Sequence, residues 1–229
     1  PEDIAKYEGV YEDGYQGIRE ARFNKQQQLG VLPDATALSE PEHPAWGEVK
    51  DPSEEALRMQ VYAAMVDRLD QNVKRLMDFL ETSGLAENTI VFFLSDNGGC
   101  PEVRNNTPEE TTGSPKSFVA YGKAWANVSN TPYRKYKAME EEGGLLTPLI
   151  AHWPAGLSQP GLITHEPAHI IDFMATCLDL ADVTYPDSLF GQATLSAVGE
   201  SFLPQLQGES ADAGRTLFWE HEGNQAVRH

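Results

Sequence analysis

One segment of the chain places chemically useful side chains at the end of an apolar run. Asp96 and Asn97 stand in the stretch SDNGGCP (95–101), directly after the β-rich run TIVFFL (89–94). Their side chains offer oxygen atoms and neither nitrogen nor sulfur, which is the donor set that a hard cation such as Ca²⁺ prefers. The alternative is an ordinary glycine-rich turn, in which Asp and Asn are common for conformational reasons.

The apolar run before this pair predicts a strand that is buried on both faces of a parallel sheet. Asp96 and Asn97 would then lie at its carboxyl end, where open α/β sheets place their ligands. Gly98 and Gly99 allow the backbone to turn sharply at this point.

A long helix is predicted before this strand. Asp51 can act as its N-cap, Pro52 suits the first helical position and Gly84 is a natural stop. A helix followed by a buried strand is half of a βαβ unit, so the sequence indicates the α/β class. Helical spacing predicts one buried apolar face, formed by Leu57, Val61, Met65, Leu69, Val73, Leu76, Met77 and Leu80.

The rest of the chain gives a coarser map. Helical periodicity precedes Gly30 and Pro33, and residues 100–130 read as a long connection. Short strands are predicted over 147–153 and 217–223. An amphipathic helix is predicted over 165–181, with its inward face formed by Ile170, Ile171, Met174, Leu178 and Ala181, and with Cys177 as a buried core residue.

A second segment, downstream of the first, helps to interpret Asp96 and Asn97. Residues 130–157 read NTPYRKYKAMEEEGGLLTPLIAHWPAGL. Together with SDNGG, this segment closely resembles the sulfatase family, within the alkaline-phosphatase-like superfamily. The resemblance implies that Asp96 and Asn97 are Ca²⁺ ligands. It also implies that Lys137, five residues before Glu142-Gly143-Gly144, contacts the sulfate.

The resemblance extends more weakly over nearly the whole chain. It implies an α/β fold, with part of an alkaline-phosphatase-like sheet flanked by helices and the start of a small C-terminal antiparallel subdomain. Residues 1–182 would be the C-terminal-side portion of the catalytic domain. Residues 183–229 would be a linker and the start of the small subdomain.

The nucleophile of the family does not occur in this sequence. Sulfatases form formylglycine from the Cys or Ser of a C-x-P-x-R or S-x-P-x-R motif. Cys100 begins CPEVR, whose proline comes one position too early. The upstream Asp pair of the Ca²⁺ site and the upstream Lys and His residues of the sulfate pocket are also missing. We therefore expect a fragment of a sulfatase that does not turn over by itself.

The charge balance restricts the partners. The chain has 35 acidic and 17 basic residues, for a formal charge of −18. Such a surface repels phosphate backbones, which argues against nucleic-acid binding. A sulfated small molecule or sulfated glycan would need a local positive pocket. The densest basic cluster, Arg134, Lys135 and Lys137, could supply it, although a solvated loop face is the simpler interpretation of Arg134 and Lys135. The acidic balance suits a secreted or periplasmic protein, and no apolar run is long enough to span a membrane.

Two other functions stay open at the sequence level. Phosphoester and phosphonate hydrolases of the superfamily typically carry Asp-His where this chain has Asp96-Asn97. Imidazole suits Zn²⁺ or Mn²⁺, whereas the amide oxygen of Asn97 suits Ca²⁺ and favours sulfate chemistry. A non-catalytic relative that binds sulfated ligands is the other alternative. His169 and His221 fall in family-like stretches, but a structural role is the simpler interpretation of each.

Overall fold

The computed structural model describes residues 2–209 and 214–229 as a mixture of helices and short strands. The helices are α1 (Glu2–Ala5), α2 (Tyr15–Gln28), α3 (Pro52–Thr82), α4 (Gly122–Ser129), α5 (Glu142–Leu145), α6 (Asp172–Leu180) and α7 (Leu203–Leu206). The strands are β1 (Val91–Leu94), β2 (Leu149–His152), β3 (Ser188–Leu189), β4 (Gln192–Ala193), β5 (Leu217–His221) and β6 (Asn224–Arg228). Within the described ranges, no helix combines the length and apolar character needed to cross a bilayer.

The strands pair in twos: β1 with β2, β3 with β4, and β5 with β6. The strands predicted over 89–94, 147–153 and 217–223 are confirmed as β1, β2 and β5. The burial predicted for β1 is wrong, because Phe93 is 41% exposed and its neighbours are only partly buried. A strand becomes buried on both faces only when other elements cover both faces.

Helix α3 begins as its sequence predicts. Asp51 accepts a hydrogen bond from the Glu54 backbone N–H at 3.0 Å, Pro52 occupies the first turn, and Gly84 follows the last turn with φ +67°. The predicted apolar face is only partly buried, since Met65, Leu69 and Leu76 are exposed. The buried residues of α3 all lie in its first half (Ala56, Met59 and Ala64).

The chain divides into two compact units. Unit 1 comprises Pro1–Gly84, Leu94–Leu149 and Trp219–Ala226. Its core is formed by Tyr15, Met59, Tyr121, Trp125, Ala126 and Val128. The Trp125 side chain is fully buried against Tyr15, with ring centroids 4.6 Å apart, and its indole N–H donates to the Glu55 carbonyl at 2.9 Å. A buried tryptophan with a satisfied N–H is a strong anchor, because it removes a large apolar area from water at no polar cost.

The centre of this core lies in a region that the sequence indicated as a connection. Residues 100–130 contain α4, whose residues Trp125, Ala126, Asn127 and Val128 are all buried. The prediction of an irregular connection is therefore wrong for its last third. Helix α4 has only about two turns and follows a stretch rich in turn residues, so the sequence pattern does not predict it. Tertiary burial stabilises this helix more than local propensity does.

Unit 2 comprises Leu85–Phe93, Ile150–Phe218 and Val227–His229. Phe92, Phe173 and Phe202 form an aromatic trio with edge-to-face contacts at 5.3–5.5 Å. Beside it, the buried carboxylate of Asp172 accepts two hydrogen bonds from the Arg215 guanidinium, at 2.7 and 2.5 Å. The backbone N–H groups of His169 and Glu200 complete its coordination at 2.7 and 3.0 Å.

This network changes the interpretation of residues 165–181. The helix is shorter than predicted, because it begins at Asp172 rather than at 165. Its buried face is polar, formed by Asp172 and Thr176, whereas Ile170 and Met174 are more than half exposed. Cys177 is exposed as well, so the predictions of an apolar inward face and of a buried Cys177 are wrong.

Candidate functional site

The turn after β1 presents Asp96 and Asn97 side by side. Asp96 is exposed and Asn97 is partly buried. The Ser95 hydroxyl donates to the Asn97 carbonyl at 2.9 Å, and the Asn97 side-chain amide nitrogen donates to the Gly98 carbonyl at 2.9 Å. Because its amide nitrogen is engaged by the backbone, the amide oxygen of Asn97 is the atom that it offers to a cation.

The loop that carries Lys137 lies against this turn. The Lys137 backbone N–H donates to the Gly99 carbonyl at 3.0 Å, and the Gly98 N–H donates to the Gly144 carbonyl at 3.0 Å. The structure thus brings together the two segments that hold Asp96, Asn97 and Lys137, although they are about forty residues apart in the sequence. Their roles as ligands and sulfate contact stay predictions.

Close packing of glycines makes this approach possible. A Cβ on Gly98 would overlap the Gly143 carbonyl oxygen, and a Cβ on Gly143 would overlap the carbonyl oxygens of Arg134 and Lys135. Neither residue has a positive φ. Gly98 is therefore required for contact between two backbones, whereas the sequence had indicated a requirement for a sharp turn.

Gly143→Ala tests this packing. The new methyl group has no space, and its neighbours are the backbone carbonyls of Arg134 and Lys135, which cannot rotate away, so we expect the loop over residues 134–144 to lose its packed conformation. Limited proteolysis should reveal faster cleavage near residues 134–144 in the variant. Gly47→Ala is the control, because no atom lies within 4 Å of the place that its new methyl group would take and its φ is not positive. Equal cleavage rates for wild type and Gly143→Ala would contradict the packing argument.

The basic cluster separates into paired and unpaired members. Lys135 forms an ion pair with Glu42 at 3.1 Å, and Arg134 lies 3.5 Å from the same carboxylate and 3.9 Å from Glu141. Lys137 has no salt bridge within the part of the chain that the structure describes. The interpretation of Arg134 and Lys135 as surface residues is consistent with these pairs, and Lys137 keeps its ammonium group for another anion.

The backbone on both sides of Lys137 is strained. Lys135 and Ala138 have φ values of 66° and 71°, in the left-handed region that non-glycine residues rarely adopt. Each such residue costs on the order of 1 kcal/mol or more, and this cost is tolerated where the surrounding contacts dictate the conformation. The sequence does not predict these left-handed conformations, because neither residue is glycine or asparagine.

Tyr121 packs against the same turn. Its ring stacks on Tyr62 at 4.4 Å, and its hydroxyl lies so close to Gly99 that a Cβ there would come within 2.5 Å of it. Burial raises the pKa of the Tyr121 phenol far above its usual value, so the group stays neutral. Sequence reasoning missed this residue, because it stands in the region taken as a connection.

The donor set at the turn fits a hard cation in part. Asp96 and Asn97 supply oxygens, as Ca²⁺ requires, but six to eight ligands complete its shell. Among residues 2–209 and 214–229, no group of three or more His, Cys, Asp or Glu side chains is arranged to hold a metal ion. Asp96 and Asn97 are therefore suited to contribute oxygens to a Ca²⁺ shell, but they do not complete one by themselves.

Two cavities lie within unit 2. Cavities of about 260 and 350 Å³ share Glu200, Arg215 and Leu217 in their walls, and His169 lines the larger one. Neither contains Asp96, Asn97 or Lys137. The His169 ring nitrogen Nδ1 accepts from the Ile171 N–H at 3.3 Å, and His221 is exposed on β5.

The fold defines an α/β protein in which the loop that carries Lys137 is hydrogen-bonded to the turn that carries Asp96 and Asn97, after strand β1. The Sulfatase family model matches residues 4–183, which is more than half of the chain. The chain therefore belongs to the sulfatase family, and the family prediction is confirmed.

The chain is similar to two curated relatives over most of its length. It is 32% identical to an uncharacterized sulfatase of Schizosaccharomyces pombe, over 99% of this chain and 45% of the relative. It is 33% identical to an arylsulfatase of Klebsiella aerogenes, over 86% of this chain and 46% of the relative. The chain thus spans about half the length of these relatives.

A solved structure supports the fold. It comes from work on the metabolism of multiple glycosaminoglycans by Bacteroides thetaiotaomicron, and it matches 95% of this chain and 42% of its own with a TM-score of 0.50 at 18% identity. This likeness concerns the fold alone, and it confirms the predicted α/β class with an alkaline-phosphatase-like architecture.

Proposed function

We propose that this chain forms part of a Ca²⁺-dependent sulfatase that hydrolyses a sulfate ester, with a formylglycine nucleophile supplied from outside residues 1–229. The observation that carries the proposal is the contact between the Lys137 loop and the turn after β1, in a member of the sulfatase family. The chain by itself is expected to be inactive. Residues 1–182 belong to the catalytic domain in this proposal, and residues 183–229 belong to a linker and the start of the small subdomain.

The side chains of this chain have separate tasks in the proposed reaction. Asp96 and Asn97 would hold Ca²⁺ through their oxygens, and the bound ion would neutralise charge on the sulfate oxygens. Lys137 donates a charge-assisted hydrogen bond to the sulfate or to its bridging oxygen. The negative charge that develops there as the ester bond breaks makes this bond stronger in the transition state than in the bound substrate.

The substrate class follows from the relatives only in outline. An arylsulfatase and a steryl-sulfatase are among the similar proteins, and N-acetylgalactosamine-6-sulfatases are also found. A small aryl sulfate such as 4-nitrophenyl sulfate is thus the first probe, and sulfated glycans are the second. Asn97 favours sulfate over phosphate esters, because an amide oxygen suits Ca²⁺ better than the transition metals that imidazole attracts.

Asp96→Ala in the full-length protein tests the metal assignment. We expect Ca²⁺ affinity and sulfatase activity to fall together by more than about tenfold, since even the loss of an outer-shell partner typically costs 10–100-fold. Isothermal titration with Ca²⁺ and hydrolysis of 4-nitrophenyl sulfate give the two readouts. Asp78→Ala is the control, because Asp78 pairs with exposed Lys74 on α3.

Three results would redirect the proposal. Wild-type Ca²⁺ affinity in Asp96→Ala would remove Asp96 from the metal site. Wild-type protein that binds Zn²⁺ or Mn²⁺ and hydrolyses 4-nitrophenyl phosphate faster than the sulfate would establish phosphoester chemistry instead. Binding of sulfated ligands without any turnover would indicate the non-catalytic alternative.

A further inference from the structure

Asn130, the first residue of the segment 130–157, connects the turn after β1 with the Lys137 loop through its side chain. Its amide oxygen accepts from the Gly99 backbone N–H at 2.8 Å, and its amide nitrogen donates to the Lys135 carbonyl at 3.0 Å. Gly99 stands two residues after Asn97, and Lys135 stands two residues before Lys137. Gly99 is thus held at both of its backbone polar groups, because its carbonyl also accepts a hydrogen bond from the Lys137 backbone N–H.

The position of Asn130 is fixed by the core of unit 1. It follows the last residue of α4, and its backbone N–H donates to the Ala126 and Asn127 carbonyls at 3.1 and 3.2 Å. Helix α4 carries the fully buried Trp125 and Ala126. The side chain of Asn130 therefore extends from the C-terminal end of α4 to the turn after β1 and to the backbone of the Lys137 loop.

A side-chain amide is well suited to this task. It combines a hydrogen-bond acceptor and a donor in one plane, whereas a carboxylate only accepts and an alanine does neither. Both bonds lie in a partly buried environment, where a lost partner leaves a polar group without compensation.

We infer that Asn130 is a positioning residue that holds the turn with Asp96 and Asn97 in register with the loop that carries Lys137. This inference rests on the proposed function, and it adds to that function a residue that does not touch substrate or metal. The strained backbone at Lys135 agrees with it, because Asn130 binds the carbonyl of that residue and helps to stabilise its left-handed conformation.

Two substitutions in the full-length protein separate the two bonds. Asn130→Ala removes both, and we expect kcat/KM and Ca²⁺ affinity each to fall by about 10–100-fold, as for the loss of other supporting contacts. Asn130→Asp keeps an acceptor for the Gly99 N–H but places an oxygen against the Lys135 carbonyl. This variant should retain Ca²⁺ affinity close to wild type and lose kcat, because only the Lys137 loop is released.

Asn127→Ala is the matched control. Asn127 lies three residues earlier, on α4 itself, is fully buried, and accepts from the Glu42 N–H at 3.3 Å. It has no hydrogen bond to the turn after β1 or to residues 134–137 within the described ranges. Its substitution should lower the thermal midpoint while kcat/KM and Ca²⁺ affinity stay unchanged.

Hydrogen exchange separates this inference from the proposed function. In Asn130→Ala, the amides of Gly99 and Lys137 should lose protection together, and in Asn127→Ala they should keep it. If wild type hydrolyses no sulfate ester but this joint loss occurs, the proposed function fails and the positioning role stands. If wild type is an active sulfatase and both Asn130 variants match its kcat/KM and its amide protection, the positioning role is overturned.

Discussion

Substitution of Lys137 by alanine is expected to lower kcat/KM for a sulfate ester by about 10²–10³ in the full-length protein, the usual cost of one preorganised donor to a developing charge. The fold should remain intact, because Lys137 is only partly buried and the structure holds its segment by backbone hydrogen bonds. Its side chain has no salt bridge in the described part of the chain, so no structural ion pair is lost with it.

The chain itself supplies the comparison for this prediction. Arg134 lies three residues earlier in the same loop, and its guanidinium pairs with Glu42 and Glu141 while 58% of its side chain is exposed. Arg134→Ala removes a similar charge from the same surface, so it controls for the long-range electrostatic attraction of the substrate. We expect its kcat/KM to stay near that of wild type. Equal losses in both variants would indicate a general charge effect and would remove Lys137 from the site.

The two kinetic constants add information. Removal of a contact that forms only as the ester bond breaks lowers kcat and leaves KM unchanged, whereas removal of a contact to the bound sulfate raises KM. Lys137→Arg keeps the charge but presents a planar fork instead of a compact ammonium group. A partial recovery of kcat in this variant would show that charge, rather than geometry alone, carries the effect.

Substitution of Asp172 by alanine is expected to destabilise unit 2 by about 3–5 kcal/mol, the typical cost of removing one partner from a buried ion pair. The Asp172 side chain is fully buried and Arg215 is 18% exposed, so the remaining guanidinium recovers only part of its hydration and keeps a 3.7 Å contact with the exposed carboxylate of Glu200. The N–H groups of His169 and Glu200 lose their acceptor as well. Urea unfolding of the full-length protein, followed by circular dichroism and pulse proteolysis, measures the change.

Acid pH provides a second test of this carboxylate. Burial by itself would raise the pKa of Asp172, but the Arg215 guanidinium and two backbone N–H groups outweigh it and hold the pKa below the usual 3.8. A carboxyl with a lowered pKa in the folded state stabilises the protein fully above its unfolded pKa and loses this contribution as pH falls through the folded value. The stability difference between wild type and Asp172→Asn should thus be constant near neutral pH and shrink below about pH 4.

The control for Asp172 is an ion pair at the surface. Lys74 and Asp78 lie 2.6 Å apart on α3, with 72% and 53% of their side chains exposed. Solvent and salt screen such a pair, and Asp78→Ala should leave the urea midpoint unchanged. A loss in Asp172→Ala no larger than that in Asp78→Ala would show that the buried pair does not stabilise unit 2.

The sequence by itself determined the local features and the family. The cap and first turn of α3 follow from Asp51 and Pro52, because these residues act on neighbours within four positions. The strands β1 and β2 follow from short apolar runs. The SDNGG and EGG segments identified a sulfatase and pointed to Asp96, Asn97 and Lys137, since residue types at a fixed spacing are visible without a fold.

Tertiary structure alone decided which side chains support these residues and which faces are buried. Asn130 contacts Gly99 across 31 positions, and Arg215 contacts Asp172 across 43. A periodic pattern cannot show such partners, because it records only neighbours along the chain. The sequence pattern of α6 predicted that its apolar side would face inward. The buried carboxylate of Asp172 with its four hydrogen-bond donors occupies the interior instead. A polar network whose hydrogen bonds are all satisfied can fill a position that periodicity assigns to isoleucine or methionine.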